Sequence, residues 1–109
     1  MSFVVAPTLI NTLRGSDGTI VVEIRGEIDV ASSDRLRRVL RDAAGIRPTA
    51  VIVDMLYVTF IDSTGIGALA AGYNAAHAHG VPFEVRQARP FILTQLRQTG
   101  LYEALVGDH

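Results

Sequence analysis

The chain has 109 residues, 49% of them hydrophobic and 19% charged, so its size and composition indicate one globular domain and exclude a disordered chain. The formal net charge of −1 gives no general attraction for nucleic acid, and the lack of cysteine excludes disulfides and thiolate metal sites. No apolar run approaches the roughly 20 residues that span a bilayer, so we expect a cytoplasmic protein with no membrane partner.

The first part of the chain predicts a hairpin followed by a helix. Residues 9–14 and 19–25 are strand-like, and the segment GSDG between them is typical of a tight turn. Helical spacing then begins at Ser32 or Ser33 and stops at Gly45. The apolar face of this predicted helix consists of Leu36, Val39, Leu40 and Ala43.

The run AVIVDM, residues 50–55, is apolar on both faces, which is typical of a central strand in a parallel sheet. We therefore expect Val51, Ile52 and Val53 to be inaccessible to solvent. An aspartate at Ile52 is then expected to prevent soluble folding, because an unpaired buried charge costs several kcal/mol.

The rest of the chain predicts a helix over Ser63–His79, a strand over 82–87, a helix between Pro90 and Gly100, and a short apolar tail. The full order is β-β-α-β-α-β-α, and its strand–helix–strand units imply right-handed crossovers. This order predicts an α/β fold with a mixed sheet of four or five strands and helices packed mainly on one face.

The segment TFIDSTGIGALAAG, residues 59–72, is compatible with several kinds of site. An aspartic protease would need glycine two residues after its aspartate, whereas Gly65 lies three residues after Asp62. Gly65, Gly67 and Ala70 fit the dinucleotide pattern G-x-G-x-x-A, but the segment LYVTFIDST separates them from AVIVDM and they fall within the first helical turns. Small residues that allow close helix packing are the favoured interpretation.

Other catalytic and metal sites are disfavoured as well. Ser63 lacks the flanking glycines of a hydrolase nucleophile, and His77 and His79 are two residues apart on a helix, so they point to different faces. We therefore expect no catalytic residue, no cofactor and no metal. What remains is a helix start at Asp62, Ser63 and Thr64, which is either a simple cap or a site where a serine at the positive helix end accepts phosphate.

Four segments of the chain resemble the STAS domain of bacterial anti-sigma factor antagonists. They are GEID (26–29), AVIVDM (50–55), VTFIDSTGIGAL (58–69) and RPFILTQLRQTGL (89–101), with VTFIDSTGIGAL the most specific. The resemblance covers about residues 6–106. It implies that residues 1–109 form a single STAS domain with helices on one side of the sheet.

The resemblance also implies a function. Members of this family bind an anti-sigma factor, a GHKL-type serine kinase, and thereby release sigma factor. Phosphorylation of the serine after the motif's aspartate ends the binding, and a PP2C-type phosphatase resets it. That serine corresponds to Ser63, with Thr64 as the alternative acceptor. The implied partner surface consists of Asp29, Asp62, Ser63, Thr64, Gly65 and Ile66.

Two points stay open from the sequence. Asp29 either contacts the partner or only braces the loop before the first helix. Leu56 and Tyr57 replace the small or polar pair common in the family, so they either contact a partner or pack inward. The second possible function is a STAS scaffold or ligand-binding module, in a stress-sensing or lipid-transport complex, without phosphorylation.

Overall fold

Four strands and four helices make up residues 7–107, the part of the chain that the computed structural model describes. The predicted order of elements is confirmed, and the apolar tail forms a fourth, short helix. The outermost residues of the predicted domain, 1–6 and 108–109, lie outside the described part. The elements are β1 (Leu9–Arg14), β2 (Ile20–Ile28), α1 (Ser33–Gly45), β3 (Val51–Ile61), α2 (Ser63–Ala78), β4 (Phe83–Arg86), α3 (Pro90–Gln98) and α4 (Tyr102–Leu105).

The four strands form one mixed sheet, as predicted, and their order in it is β1-β2-β3-β4. The hairpin strands β1 and β2 pair antiparallel, whereas β2 with β3 and β3 with β4 pair parallel. The two parallel pairs are joined through α1 and α2, so the carboxyl ends of β2 and β3 meet at the edge of the sheet where α2 begins. α2 is the longest described helix, with 16 residues, and no helix within residues 7–107 is long and apolar enough to cross a membrane.

The helices and one face of the sheet enclose a single hydrophobic core. Val22, Val53 and Val85 lie side by side on the three parallel strands and are buried in it. Successive strand residues point to opposite faces, so Val21, Ile52 and Glu84 form a neighbouring row on the face away from the helices. The burial of Val51, Ile52 and Val53 is confirmed, with exposed fractions of 0%, 8% and 0%.

β3 is longer than the sequence indicates. The predicted strand ends at Met55, whereas the observed strand continues to Ile61. Two irregularities in its pairing with β2, one of them beside Gly26 at φ 104°, shift the register. Residues 56–61 consequently bury every third residue instead of every second, which removes the alternation by which a strand is detected in a sequence.

Candidate functional site

Asp62 links the end of β3 to the start of α2 and caps the helix. Its Oδ1 accepts the backbone N–H groups of Thr64 at 2.9 Å and Gly65 at 3.1 Å. Its own N–H donates to the Ile28 carbonyl at 3.1 Å, at the end of β2. The first turn of α2 is therefore fixed to the carboxyl ends of two central strands.

The two hydroxyls that follow Asp62 have different environments. Thr64 is partly buried, and its Oγ1 donates to Asp62 Oδ1 at 2.5 Å. Ser63 is exposed, and within residues 7–107 its hydroxyl makes no hydrogen bond. The Ser63 hydroxyl is thus the one that a second protein can reach without breaking a contact.

The same hydrogen bonds affect the charge of Asp62. Donation by the Thr64 hydroxyl, together with the N–H groups of Gly65 and Thr64, holds the pKa of Asp62 below its usual value, although partial desolvation opposes this. Asp62 is therefore a carboxylate at neutral pH, and a negative charge lies next to Ser63.

Acid is expected to weaken this cap. Because the pKa of Asp62 is lower in the folded state, its stabilisation is present above the unfolded-state pKa of about 3.9 and is lost as pH falls through the lower folded-state pKa. Asp62→Asn should cost about 1 kcal/mol or less at neutral pH, since asparagine also caps well, and should lose stability less steeply in acid. Thermal unfolding from neutral pH to about pH 2 measures both effects. The control is Asp42→Asn on the exposed side of α1, and equal acid slopes in the two variants would contradict the assignment.

Gly65 allows α2 to begin directly on the sheet. A Cβ atom at this position would lie 2.7 Å from side-chain carbons of Ile28 and Ile61, and 3.0 Å from the Ile28 carbonyl oxygen. A Cβ at Gly67 would meet only Arg37 Nη2, at 3.8 Å. The predicted role of small residues in close packing is therefore confirmed at Gly65 and does not hold at Gly67.

Alanine substitutions at Gly65 and Gly67 should have opposite effects on the free energy of unfolding. Gly65→Ala is expected to reduce the free energy of unfolding by roughly 1–3 kcal/mol, because the neighbouring strand ends must move. Gly67→Ala should raise it by about 0.5–1 kcal/mol, because alanine is the better helix former. Urea unfolding of both variants makes the comparison, and a Gly65→Ala protein as stable as Gly67→Ala would show that the contact is not tight.

The predicted separation between the strand and the glycines of the dinucleotide-like pattern is wrong. β3 runs to Ile61, so the glycines follow the strand almost directly and no long segment intervenes. The predicted position of Gly65 and Gly67 within the first turns of α2 is confirmed. The N–H groups of Thr64 and Gly65, at the helix start, are already bonded to Asp62.

Asp29 occupies the loop between β2 and α1, one residue after the carbonyl that holds Asp62. Its carbonyl accepts the N–H groups of Ser32 at 3.0 Å and Ser33 at 2.8 Å, and its Oδ1 accepts the N–H of Ala31 at 3.0 Å. The side chain thus braces the loop, and the chain brings Asp29 and Asp62 to the same edge of the sheet.

The predicted site residues differ in what they expose. Ser63 is exposed and Asp29, Asp62 and Thr64 are partly buried, whereas Gly65 and Ile66 are buried. Ile66 has an exposed fraction of 6% and belongs to the hydrophobic core. Gly65 and Ile66 consequently support the helix start from beneath.

An exposed apolar band on the extension of β3 leads up to this site. Leu56, Tyr57 and Phe60 have exposed fractions of 38%, 44% and 46%, so Leu56 and Tyr57 do not pack inward. The Arg25 guanidinium lies 4.2 Å from the centre of the Tyr57 ring, and Arg89 Nε donates to the Leu56 carbonyl at 3.2 Å. The sequence pattern does not indicate Phe60 as a surface residue, because the loss of alternation hides the strand that carries it.

The two histidines lie at the far end of α2. His77 and His79 are both exposed, and the His77 ring stacks on Tyr73 with 5.9 Å between ring centres. Among residues 7–107, no three histidine, aspartate or glutamate side chains are grouped as a metal site would require.

The fold is that of a STAS domain. The STAS domain family matches residues 12–106, and the chain therefore belongs to this family. The family resemblance that the sequence motifs predicted is confirmed, as is the fold class.

A curated relative and a solved structure of similar sequence are both named as anti-sigma factor antagonists. The anti-sigma-F factor antagonist RsfB of Mycobacterium tuberculosis is 33% identical over 60 residues, which cover 55% of this chain and 49% of that protein. The match thus spans about half the length of this curated relative. The crystal structure of an anti-sigma factor antagonist from Mycobacterium paratuberculosis has a TM-score of 0.80 and 26% identity, covering 91% of this chain and 83% of that one.

A more distant structure supports the fold alone. The phosphorylated form of the Bacillus cell fate determinant SpoIIAA has a TM-score of 0.72 at 18% identity, covering 90% of this chain and 89% of that one.

Proposed function

We propose that this chain is an anti-sigma factor antagonist whose binding is controlled at Ser63. The observation that carries the proposal is the exposed, unbonded Ser63 hydroxyl at the first turn of α2, beside the carboxylate of Asp62. The names of the relatives, both anti-sigma factor antagonists, support the class of function. The chain acts by binding and not by catalysis.

The proposed partner is an anti-sigma factor that is also a GHKL-type serine kinase. It transfers the γ-phosphoryl group of ATP to Ser63: the bond between the γ-phosphorus and the bridging oxygen breaks, a bond from Ser63 Oγ to phosphorus forms, and ADP leaves. The hydroxyl proton passes to a base of the kinase, which also holds the Mg²⁺. This chain contributes only the hydroxyl, and a PP2C-type phosphatase hydrolyses the phosphoserine.

The position of Ser63 fits a change in binding without a change in fold. A phosphate adds about −1.5 to −2 charge, which the positive end of α2 tolerates while the site is in water. Inside an interface the same phosphate loses hydration and lies beside the Asp62 carboxylate. Phosphorylation should therefore weaken the complex and leave the free protein folded.

Asp29, Asp62, Ser63 and Thr64 form the proposed contact surface, with Gly65 and Ile66 beneath it. The loop that contains Asp29 and the start of α2 lie side by side, because the backbone hydrogen bond from Asp62 to Ile28 holds them together. One partner can therefore contact both. The β3 band of Leu56, Tyr57 and Phe60 adds apolar area next to it.

Capture of the partner and mapping of the phosphate test this function. The full chain, immobilised, is exposed to lysate of the source cells, and the retained proteins are identified with and without Mg²⁺-ATP. A serine kinase should be retained, and mass spectrometry should place phosphate on Ser63 in both the wild type and Thr64→Ala. Phosphate on Thr64 in the wild type would overturn the choice of acceptor, and the absence of any modification together with the absence of a kinase would overturn the proposed function.

Asp29 has a separate test, because its charge and the hydrogen bond with which it braces the loop can be changed independently. Asp29→Asn keeps an oxygen that accepts the Ala31 N–H and removes the charge, whereas Asp29→Ala removes both. If the charge contacts the partner, both variants should bind roughly 5- to 30-fold more weakly, and Asp42→Ala on α1 should bind as the wild type does. Wild-type affinity for Asp29→Asn would restrict Asp29 to bracing the loop.

The alternative function is a STAS ligand-binding or scaffold module without a phosphorylation switch. One observation favours keeping it: a cleft of about 460 Å³ lies at the end of α2 remote from Ser63.

A further inference from the structure

That cleft opens at the amino ends of β3 and β4 and has a volume of about 460 Å³. The last turns of α2 form one wall, and α4 forms another. At a rise of about 1.5 Å per residue, His77 lies roughly 20 Å along the helix from Ser63. The cleft is therefore separate from the proposed partner surface.

Aromatic side chains build the floor and the α2 wall. The ring of Tyr73 stacks on His77 with an interplanar angle of 16°, and it meets Phe83 edge-on, with 6.3 Å between ring centres. Phe83 is buried, so it holds Tyr73 from the side of the core. The volume lies in the range of pockets for small organic ligands, about 300–1,000 Å³, and the walls are already formed.

Acidic residues outnumber basic ones on the lining. Glu84 and Glu103 line the cleft together with His77, and no arginine from residues 7–107 does. Glu84 Oε1 already accepts from Arg86 Nε at 3.2 Å. Glu103 is exposed on α4 and makes no ion pair with any of residues 7–107.

We infer that this cleft binds a small amphipathic cation, an amine carried on an aromatic or other apolar body. The apolar body lies against Tyr73 and Phe83, and the ammonium group pairs with Glu103. The Glu103 carboxylate attracts a cation and repels an anion. An acidic ligand of the same size binds more weakly for the same reason.

Three small molecules that share an indole ring and differ in charge separate the effect of ligand charge on binding from the effect of ligand shape. Tryptamine is the cation, tryptophol its neutral analogue with the same chain length, and indole-3-acetate the anion. Each is titrated into the isotopically labelled full chain, and the backbone amide signals are followed by NMR. Tryptamine should shift the amides of Tyr73, His77, Phe83 and Glu103, with an affinity up to about fivefold above that of tryptophol, the strength of one exposed ion pair. Indole-3-acetate should bind most weakly.

Variants of the chain show where tryptamine binds and which carboxylate attracts its ammonium group. Glu103→Gln should reduce tryptamine binding to the level of tryptophol, whereas Glu27→Gln, the same change on an exposed residue of β2, should leave all three affinities unchanged. Ala104→Trp should fill the cleft and abolish the shifts, and an unchanged spectrum away from α4 shows that this variant is folded. Ser63→Ala should bind tryptamine as the wild type does, which keeps this result independent of the proposed phosphorylation.

Two results would overturn the inference. If millimolar tryptamine leaves the cleft amides unmoved, or if the shifts persist in Ala104→Trp, the cleft is not the binding site. If all three probes bind equally to the wild type and to Glu103→Gln, the cleft is an apolar groove without the assigned preference for a cation.

Discussion

Val53→Asp is expected to abolish soluble folding of this chain. Val53 is fully buried at the centre of the sheet, between Val22 and Val85 and beneath the helices. An aspartate there has no cationic partner in the core, and an unpaired buried charge costs several kcal/mol, against a total stability of typically 5–15 kcal/mol. The soluble yield and the thermal unfolding of the purified protein are the measurements.

Two further aspartates on β3 serve as controls. Thr59→Asp introduces the same residue at an exposed position of the same strand and should fold. Ile52→Asp remains expected to prevent soluble folding, because Ile52 is buried, with an exposed fraction of 8%, and its neighbour on β4 is Glu84 rather than a cation. A Val53→Asp protein that unfolds cooperatively at the wild-type temperature would contradict the placement of Val53 under the helices.

Ser63→Glu is expected to fold as the wild type does and to bind the anti-sigma partner about 100-fold more weakly. Each tenfold loss corresponds to about 1.4 kcal/mol, and a charge that is desolvated against Asp62 in an interface costs about twice that. Ser63→Ala should bind constitutively and should not be phosphorylated. Titration calorimetry or surface plasmon resonance with the captured partner gives the affinities.

The control for this prediction is Ser16→Glu, the same substitution on an exposed serine in the turn between β1 and β2. It should leave binding unchanged. Thermal unfolding of both glutamate variants shows whether the fold is intact, because a glutamate in the first turn of α2 suits the helix dipole. If Ser63→Glu binds with wild-type affinity, phosphorylation at this position does not control the complex, and the STAS module without a switch becomes the better description.

The sequence predicted the regular elements where their patterns are simple. α1 was recognised from one apolar face and a terminal glycine, and α2 from an aspartate cap followed by alanine-rich helical sequence. These predictions hold because the local preference for a helix and the burial of one helix face favour the same structure. The end of β3 was missed because the register shifts opposite β2 replace alternation by a three-residue pattern.

The candidate site was predicted in part. The sequence indicates Asp62, Ser63 and Thr64 as the helix start, and the family motif favours Ser63 over Thr64 as the acceptor, but the residues themselves do not distinguish the two hydroxyls. Their difference arises from a hydrogen bond of Thr64 to Asp62, whose geometry depends on how the first turn of α2 is capped. The exposure of Leu56 and Tyr57 likewise depends on which face of β3 the helices cover.

By itself the sequence determined the α/β class, the order of the elements, the family and the motif at the start of α2, because periodicity and capping are local properties. Only the tertiary structure decided which sheet face is covered, that Gly65 and not Gly67 must be small, and that Ile66 is buried beneath the site. It also brought residues from α2, β4 and α4 together around the aromatic cleft. These properties depend on contacts between residues far apart in the chain, and such contacts leave no periodic signal in one sequence.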